Sequence, residues 1–169
     1  MSEVKRRHER AVAENLLSSL GKKYTFVRMG NDRDEPDVIF KVENITIGIE
    51  VATAYYEDID AKQAWTLARG KRKFPKEGYE LRWGGAIWEP DQKMCERIQN
   101  EVSKKVEKNY VGADEVWLCI DEHAPITRIE VTKNCASELT IPENGFSSIY
   151  ILHHNTDDEG SGHTAVRAK

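Results

Sequence analysis

Two carboxylates in one predicted hairpin have the spacing best suited to chemistry. The segment DEPDVIFKVENITIGIEVATAY, residues 34–55, has two apolar runs separated by a short polar turn. We take Glu43 and Asn44 as a two-residue turn. Strand alternation then places Asp37 directly across from Glu50, with side-chain roots about 5 Å apart. Because like charges opposite each other destabilise a sheet, the pair predicts a bound divalent cation such as Mg²⁺.

The register of this hairpin is supported by how it sorts apolar and polar side chains. One face receives only apolar residues, and a one-residue slip would mix the two faces. The opposite face carries both acids together with Gly48, which leaves room for a ligand. The alternative is that both acids are solvent-facing ends of an ordinary hairpin, paired with Lys41 or an arginine. The apolar face consists of Val38, Phe40, Val42, Ile45, Ile47, Ile49 and Val51.

The order of these residues resembles a known family of nucleases. Pro36-Asp37, a hairpin, and then Gly48-Ile-Glu50-Val-Ala52 are similar to the core of the PD-(D/E)XK superfamily, which includes restriction endonucleases and archaeal Holliday-junction resolvases. The resemblance covers roughly residues 6–120 as a pattern of elements. It implies an α/β, restriction-endonuclease-like sandwich in which helices flank a mixed central sheet, with a metal site at the end of the hairpin.

The resemblance also implies roles for three acids. Asp37 and Glu50 match the two motif acids, which bind Mg²⁺ or Mn²⁺, and Glu9 matches the acid often found in the first helix. HERAVAENLLSSLG resembles the opening helix of the resolvases, and a helix is predicted over residues 9–20. Periodicity places Glu9 on the same stripe as Val12 and Leu16, facing the sheet. The alternative is that Glu9 is a first-turn acid favoured by the helix dipole.

Ala52 departs from the family pattern. The superfamily places a lysine two residues after the second acid, where it orients the attacking water and stabilises the charge that develops on the phosphate. Some members carry this lysine on the neighbouring helix. Lys62, in the first turn of a helix predicted over residues 60–69, is the best substitute, whereas Lys41 lies on the correct face but several residues away along the strand. The alternative is that the chain keeps the fold and has lost the catalysis.

A basic block lies in residues 62–76, KQAWTLARGKRKFPK, which carry six basic residues and no acid although the whole chain has a formal net charge of −4. Its centre resembles a segment for phosphate contact, and a solvated basic loop explains it equally well.

Taken together, the sequence predicts a metal-dependent nuclease that hydrolyses phosphodiester bonds. DNA is favoured over RNA as the substrate, and the prediction is compatible with a homodimer. The alternative is a catalytically inactive nuclease-fold module that binds nucleic acid or a protein. The candidate phosphate-binding residues are Arg69, Lys71, Arg72 and Lys73.

Further predicted elements complete a single nuclease-like domain over residues 1–154. Residues 121–146 are hard to assign, apart from a short strand at 128–131. The polar segment 155–169 is expected to be a disordered tail. The remaining elements are strands over 24–29, 115–120 and 147–152 and a helix from 90 to about 110.

The three cysteines predict reduced thiols. Cys95, Cys119 and Cys135 are odd in number and lack CxxC spacing, which favours neither a disulfide framework nor a zinc site. No apolar run approaches the roughly 18 residues of a membrane helix, and no secretory signal is recognised. The expected location is cytoplasmic, without membrane contact. A metal site at His153-His154 is not expected, because adjacent strand residues point to opposite faces.

Overall fold

The computed structural model describes residues 3–31, 34–55, 90–123, 128–155, 160 and 162–169. The helix predicted over residues 60–69 lies outside these ranges. The described residues form helices α1 (Glu3–Ser19), α2 (Pro90–Val106) and α3 (Ile129–Glu138). They also form strands β1 (Tyr24–Met29), β2 (Val38–Val42), β3 (Ile45–Tyr55), β4 (Glu115–His123), β5 (Ser148–His154) and β6 (His163–Arg167).

The six strands form one mixed sheet in the order β1-β2-β3-β4-β5-β6. Strands β1, β2 and β3 pair antiparallel, β3, β4 and β5 pair parallel, and β6 returns antiparallel to β5. Parallel neighbours need long crossover connections, and α2 and α3 lie within the two crossovers. The predicted α/β architecture, a mixed sheet flanked by helices, is confirmed.

The hairpin register is also confirmed. Val42 pairs with Ile45, and Val38 pairs with Ile49, as the alternation of apolar and polar residues predicts. Glu43 adopts a φ of 53°. A positive φ at the first turn position is what the favoured two-residue hairpin turns require, because their twist matches that of the strands.

The two faces of the sheet are covered by different helices. Helix α1 packs on the apolar face of the hairpin and buries Leu16 and Leu17 completely. Full burial of a leucine stabilises the fold by about 1.5–3 kcal/mol. Helices α2 and α3 cover the other face, where Ala52 lies in a second apolar cluster. The α2 residues of that cluster recur at every fourth position and are Met94, Ile98, Val102 and Val106.

Element boundaries differ from the predicted ones at several points. Helix α1 begins at Glu3, so Glu9 lies in its second turn and the first-turn explanation of this acid is wrong. Helix α2 ends at Val106 and not near residue 110. Strand β4 continues through polar residues to His123, because the strand remains paired with β3 over its whole length.

Two segments were predicted with the wrong structure. The strand expected at 128–131 is part of α3, whose buried residues Thr132, Cys135 and Ala136 recur at helical spacing. The tail expected to be disordered contains β6, which pairs with β5 and buries Val166. An edge strand needs only one apolar stripe, so its overall polar composition hides it.

The prediction of reduced thiols is wrong for two cysteines. Cys95 of α2 and Cys135 of α3 form a disulfide, with Cα atoms 5.1 Å apart. Their pairing was not visible in the spacing because it joins two helices across a face of the sheet. Cys119 is a free, buried thiol whose pKa is raised by burial and then by the charge of Asp121. The predicted cytoplasmic location loses the support it drew from unpaired cysteines.

In the part of the chain that the structure describes, no helix combines the length and the apolar character that crossing a bilayer requires.

Candidate active site at the end of the hairpin

Asp37 extends the hairpin pairing beyond the last paired residues. It lies one residue before β2, and its Oδ2 accepts a hydrogen bond of 2.9 Å from the backbone N–H of Val51. Backbone pairing of β2 and β3 ends with Val38 and Ile49. The side-chain bond therefore takes over where the ladder stops and holds the Asp37 carboxylate beside Glu50.

Glu50 is a buried acid paired with a lysine from α2. It is 4% exposed, and its Oε1 accepts a hydrogen bond from Lys105 Nζ at 2.5 Å. Lys105 lies in the last turn of α2, where a cation is also favoured by the helix dipole. The lysine side chain is 21% exposed, so its ammonium group lies at the boundary between the site and solvent.

Glu9 brings a third carboxylate to the site from α1. It is 2% exposed, and its Oε1 pairs with Lys5 Nζ at 3.0 Å, one helical turn earlier. Its Oε2 is buried and has no hydrogen-bond partner among the described residues. A buried carboxylate oxygen without a partner costs free energy, so Glu9 has an unfilled capacity to bind a cation or water.

The three carboxylates interact electrostatically. Burial, and then the negative charges of Glu50 and Glu9, raise the pKa of Asp37 to about 7, against smaller opposing effects of the Val51 N–H and of Lys105. Burial alone would lower the pKa of Lys5, yet the three acids together raise it. The site therefore combines three acids with two lysines, and Asp37 keeps its proton to a higher pH than an exposed aspartic acid does.

The donor set suits a hard divalent cation. Mg²⁺ takes carboxylate oxygens and usually keeps several waters. Among the described residues, Glu9, Asp37 and Glu50 are not a group whose ligand atoms all lie within 4.8 Å of one another. One ion therefore contacts all three acids only after side-chain rotation or through a bridging water. The unpartnered Glu9 Oε2 fits such a water-mediated role.

Comparisons with known proteins gave no match. No family model matches this chain, and no curated protein and no solved structure matches it. The site is therefore interpreted from its own geometry and chemistry.

Tyr110 is a neighbour of the acids that the sequence did not indicate. Its hydroxyl is buried and has no well-formed hydrogen bond among the described residues. Burial, and then the charges of Glu50 and Asp37, raise the pKa of this phenol, so it stays neutral. Its ring packs against Phe146, with centroids 5.3 Å apart.

Among the described residues, the lysine that binds Glu50 is Lys105, and the predicted role of Lys62 stays a prediction. Lys62 lies outside the described residues, and Lys41 is exposed on β2. Lys105 was missed because its α2 neighbours in the sequence carry many charges and no motif marks it. The predicted phosphate-binding residues also lie outside the described ranges: Arg69, Lys71, Arg72 and Lys73.

A second polar cluster lies at the carboxyl ends of β4 and β5. His154 Nε2 is 2.7 Å from Asp121 Oδ1, while His153 lies on the opposite face and bonds Glu122 at 2.9 Å. The prediction that the two histidines point to opposite faces is confirmed. That prediction did not consider β4, which supplies Asp121 and His123 to the face that carries His154.

Proposed function

We propose that the chain is a Mg²⁺-dependent hydrolase of nucleic-acid phosphodiester bonds with a restriction-endonuclease-like fold. The observation that carries the proposal is that the charges of Glu50 and Glu9 both act on the buried Asp37 carboxyl, while Lys105 binds Glu50 at the end of the hairpin. The confirmed hairpin register and the mixed sheet flanked by helices support it further, since the family resemblance implies both.

The three acids would hold the cation. Asp37 and Glu50 would act as direct ligands, and Glu9 would contribute directly or through a water. When bound, the metal lowers the pKa of a water molecule and polarises the phosphate. Asp37 is held in place by the backbone N–H of Val51, and a cation bound beside it would favour its ionised, ligand form against the raised pKa.

Lys105 is the residue to which we assign the role of the missing motif lysine. Ala52 is 6% exposed and packs in the cluster that α2 covers, so a lysine at this position would project into α2. The positive charge comes instead from α2 itself. An ammonium group has three donors, and Lys105 can therefore bond Glu50 and a phosphate oxygen or water at the same time.

The substrate class follows from charge. Two lysines at the rim of an acidic site favour an anionic substrate, and the basic block of residues 62–76 would hold the backbone of a nucleic acid through phosphate contacts. We favour DNA over RNA. A homodimer would allow cleavage of both strands. Light scattering measures the mass of the particle in solution and thereby tests for a dimer.

A cleavage assay tests this proposal. Wild-type protein is incubated with single- and double-stranded DNA and RNA in Mg²⁺, Mn²⁺ or EDTA. We expect cleavage with metal only, reduced roughly 1,000-fold or more in Asp37→Asn and Glu50→Gln, because a bound metal supplies several kcal/mol of transition-state stabilisation. Glu138→Gln, at an exposed acid of α3, serves as the matched control and should retain activity. Wild-type protein that cleaves none of these substrates contradicts the proposal.

The alternative function is an inactive nuclease-fold module that binds nucleic acid or a protein. Ala52 favours it, and so does the ion pair of Lys105 with Glu50, which neutralises one acid without a metal. Calorimetric titration with Mg²⁺ in the presence of uncleavable phosphorothioate DNA separates the two functions. Saturable metal binding that is lost in Asp37→Asn supports the enzyme, and DNA binding without metal binding supports the module.

A further inference from the structure

The histidines of the chain are concentrated at one end of the sheet. The sequence contains five histidines, and each of them contacts another histidine or an acid at the carboxyl end of β4. The histidines come from α1, β4, β5 and β6, so the fold brings together residues from four separate elements. They are His8, His123, His153, His154 and His163.

The parallel pairing of β4 and β5 brings the relevant residues together. Asp121 pairs with Leu152, so His123 and His154 each lie two residues further along their strands and on the same face. His154 also pairs with His163 of β6. Ligands of open α/β sheets bind at the carboxyl ends of parallel strands, which is where this cluster lies.

The distances within the cluster are short enough that the side chains would have to move little to bind one ion. One ligand atom from each of Asp121, His123 and His154 lies within 4.8 Å of the others. Asp121 Oδ1 is 2.7 Å from His154 Nε2, and its Oδ2 is 3.5 Å from His8 Nε2. His8 Nε2 is in turn 3.2 Å from Thr53 Oγ1, which fixes the position of this ring.

The carboxylate of the cluster is buried, and its two histidines are exposed to solvent. Asp121 is 1% exposed, and buried carboxylates are stable only when they are paired or bind a metal. The side chain of His154 is 40% exposed, and His123 is exposed as well. A cation can therefore reach the buried carboxylate through the two imidazole groups.

We propose that Asp121, His123 and His154 form a binding site for a divalent transition-metal ion of the Zn²⁺ class. Two imidazole nitrogens and one carboxylate oxygen are a donor set that suits zinc and its neighbours, not Mg²⁺. Three protein ligands leave a coordination position for a water or an anion. His8 acts as a positioning residue, because it contacts the second oxygen of the Asp121 carboxylate.

This site is distinct from the three-acid site and does not depend on the proposed nuclease function. Thr53, which contacts the histidine cluster through His8, lies three residues beyond Glu50 on β3. At about 3.3 Å per residue the two regions are separated by about 10 Å along the strand. Asp121 lies on the face covered by α1, whereas Glu50 points toward α2.

The test is zinc binding by the full chain. Protein freed of metal with EDTA is titrated with Zn²⁺ by calorimetry, bound zinc is counted by mass spectrometry, and Co²⁺ serves as an absorbing probe of coordination. We expect one equivalent of zinc that excess Mg²⁺ does not displace. Loss of an outer hydrogen-bond partner already weakens metal binding roughly 10- to 100-fold, so loss of a ligand should weaken it by more than about 100-fold.

Three variants and one control decide the result. His123→Ala is the most informative variant, because an exposed side chain can be removed without unfolding the chain, and circular dichroism checks this. His154→Ala and Asp121→Asn should weaken zinc binding to a similar extent, and Glu138→Gln should leave it unchanged. Absence of saturable zinc binding by the wild-type protein, or equal binding by wild type and His123→Ala, overturns the proposal.

Discussion

The two polar regions of this molecule differ in chemistry and in how the fold assembles them. The site at the end of the hairpin holds three carboxylates with Lys5 and Lys105, and burial together with the charges of Glu50 and Glu9 raises the pKa of Asp37. On the face covered by α1, the region at the carboxyl ends of β4 and β5 holds one buried carboxylate, Asp121, which contacts the imidazoles of His8 and His154. Oxygen donors favour Mg²⁺, and nitrogen donors favour transition metals.

Helix α1 contributes to both regions with adjacent residues. His8 contacts Asp121, while the carboxylate of Glu9 raises the pKa of Asp37. Helix α2, by contrast, contributes only to the three-acid site, through Lys105, as far as the described residues show. Each region can therefore be perturbed separately through the elements that only one of them uses.

The largest expected effect on stability comes from the disulfide that holds α2 against α3. Cys95→Ala combined with Cys135→Ala opens a link between residues 40 apart in the sequence, which should lower the free energy of unfolding by about 4 kcal/mol. Urea titration measures the loss. Zinc binding should persist at low temperature, because the histidine cluster takes no described ligand from α2. Equal stability of the oxidised protein and the double variant would show that the helices do not need this link.

The next effect concerns the lysine of the three-acid site. Lys105→Met should lower kcat roughly 100- to 1,000-fold, the cost of removing one group that stabilises developing charge. The neighbouring Lys104, 65% exposed and paired with Glu101, provides the matched control Lys104→Met, which should keep full activity. Lys105→Arg should restore part of kcat. Equal kcat for the two methionine variants would remove Lys105 from the mechanism.

A smaller effect is expected from the acid whose pKa is raised. The folded protein keeps a proton on Asp37 up to about pH 7, whereas the unfolded chain loses it near pH 4, so Asp37 makes the fold less stable as pH rises between these values. Asp37→Asn should therefore stabilise the fold by about 1–3 kcal/mol at pH 8 and much less at pH 4. Thermal unfolding at the two pH values measures it.

Asp114 is a control for Asp37, because its pKa is shifted in the opposite direction. Its pKa is lowered by hydrogen bonds from Thr46, so its contribution is present above the unfolded pKa and is lost as pH falls. Asp114→Asn should therefore reduce stability at pH 8, opposite in sign to Asp37→Asn. The same sign for both variants would mean that the three acids do not repel one another as described.

The smallest effects are the stabilities that metal ions add, and they should separate the two regions. An ion at ten times its Kd raises the free energy of unfolding by about 1.4 kcal/mol, or roughly 3–5 °C in Tm for a chain of this size. Mg²⁺ should raise the Tm of His123→Ala but not that of Asp37→Asn. Zn²⁺ should raise the Tm of Asp37→Asn but not that of His123→Ala. A variant that loses both the Mg²⁺ shift and the Zn²⁺ shift would show that the two sites do not bind metal independently.

The sequence predicted the parts of the molecule that are formed by neighbouring residues. The hairpin alternates apolar and polar side chains, so the pairing of Val42 with Ile45 could be derived by counting. The same count predicted the electrostatic interaction of Asp37 with Glu50. Helical periodicity likewise placed Glu9 against the sheet, and it is buried there.

The parts that were missed depend on contacts between distant segments. Lys105 reaches Glu50 across 55 residues, and His154 meets Asp121 across 33 residues, through parallel strands whose register no local pattern reveals. Strand β6 was missed because a polar edge strand is defined by its partner. Polar residues at strand ends that are close only in the fold are therefore the least predictable part of a site.

Anomalous scattering from crystals soaked in Mn²⁺ tests the three-acid metal site without any activity assay, because it locates the ion itself. The proposed nuclease site predicts a Mn²⁺ peak bonded at about 2.1 Å to oxygens of Asp37 and Glu50, with Glu9 bonded directly or through a water. Absence of a peak there at saturating Mn²⁺, or a peak confined to His123 and His154, would contradict the assignment of the three acids as the metal site of a phosphodiester hydrolase.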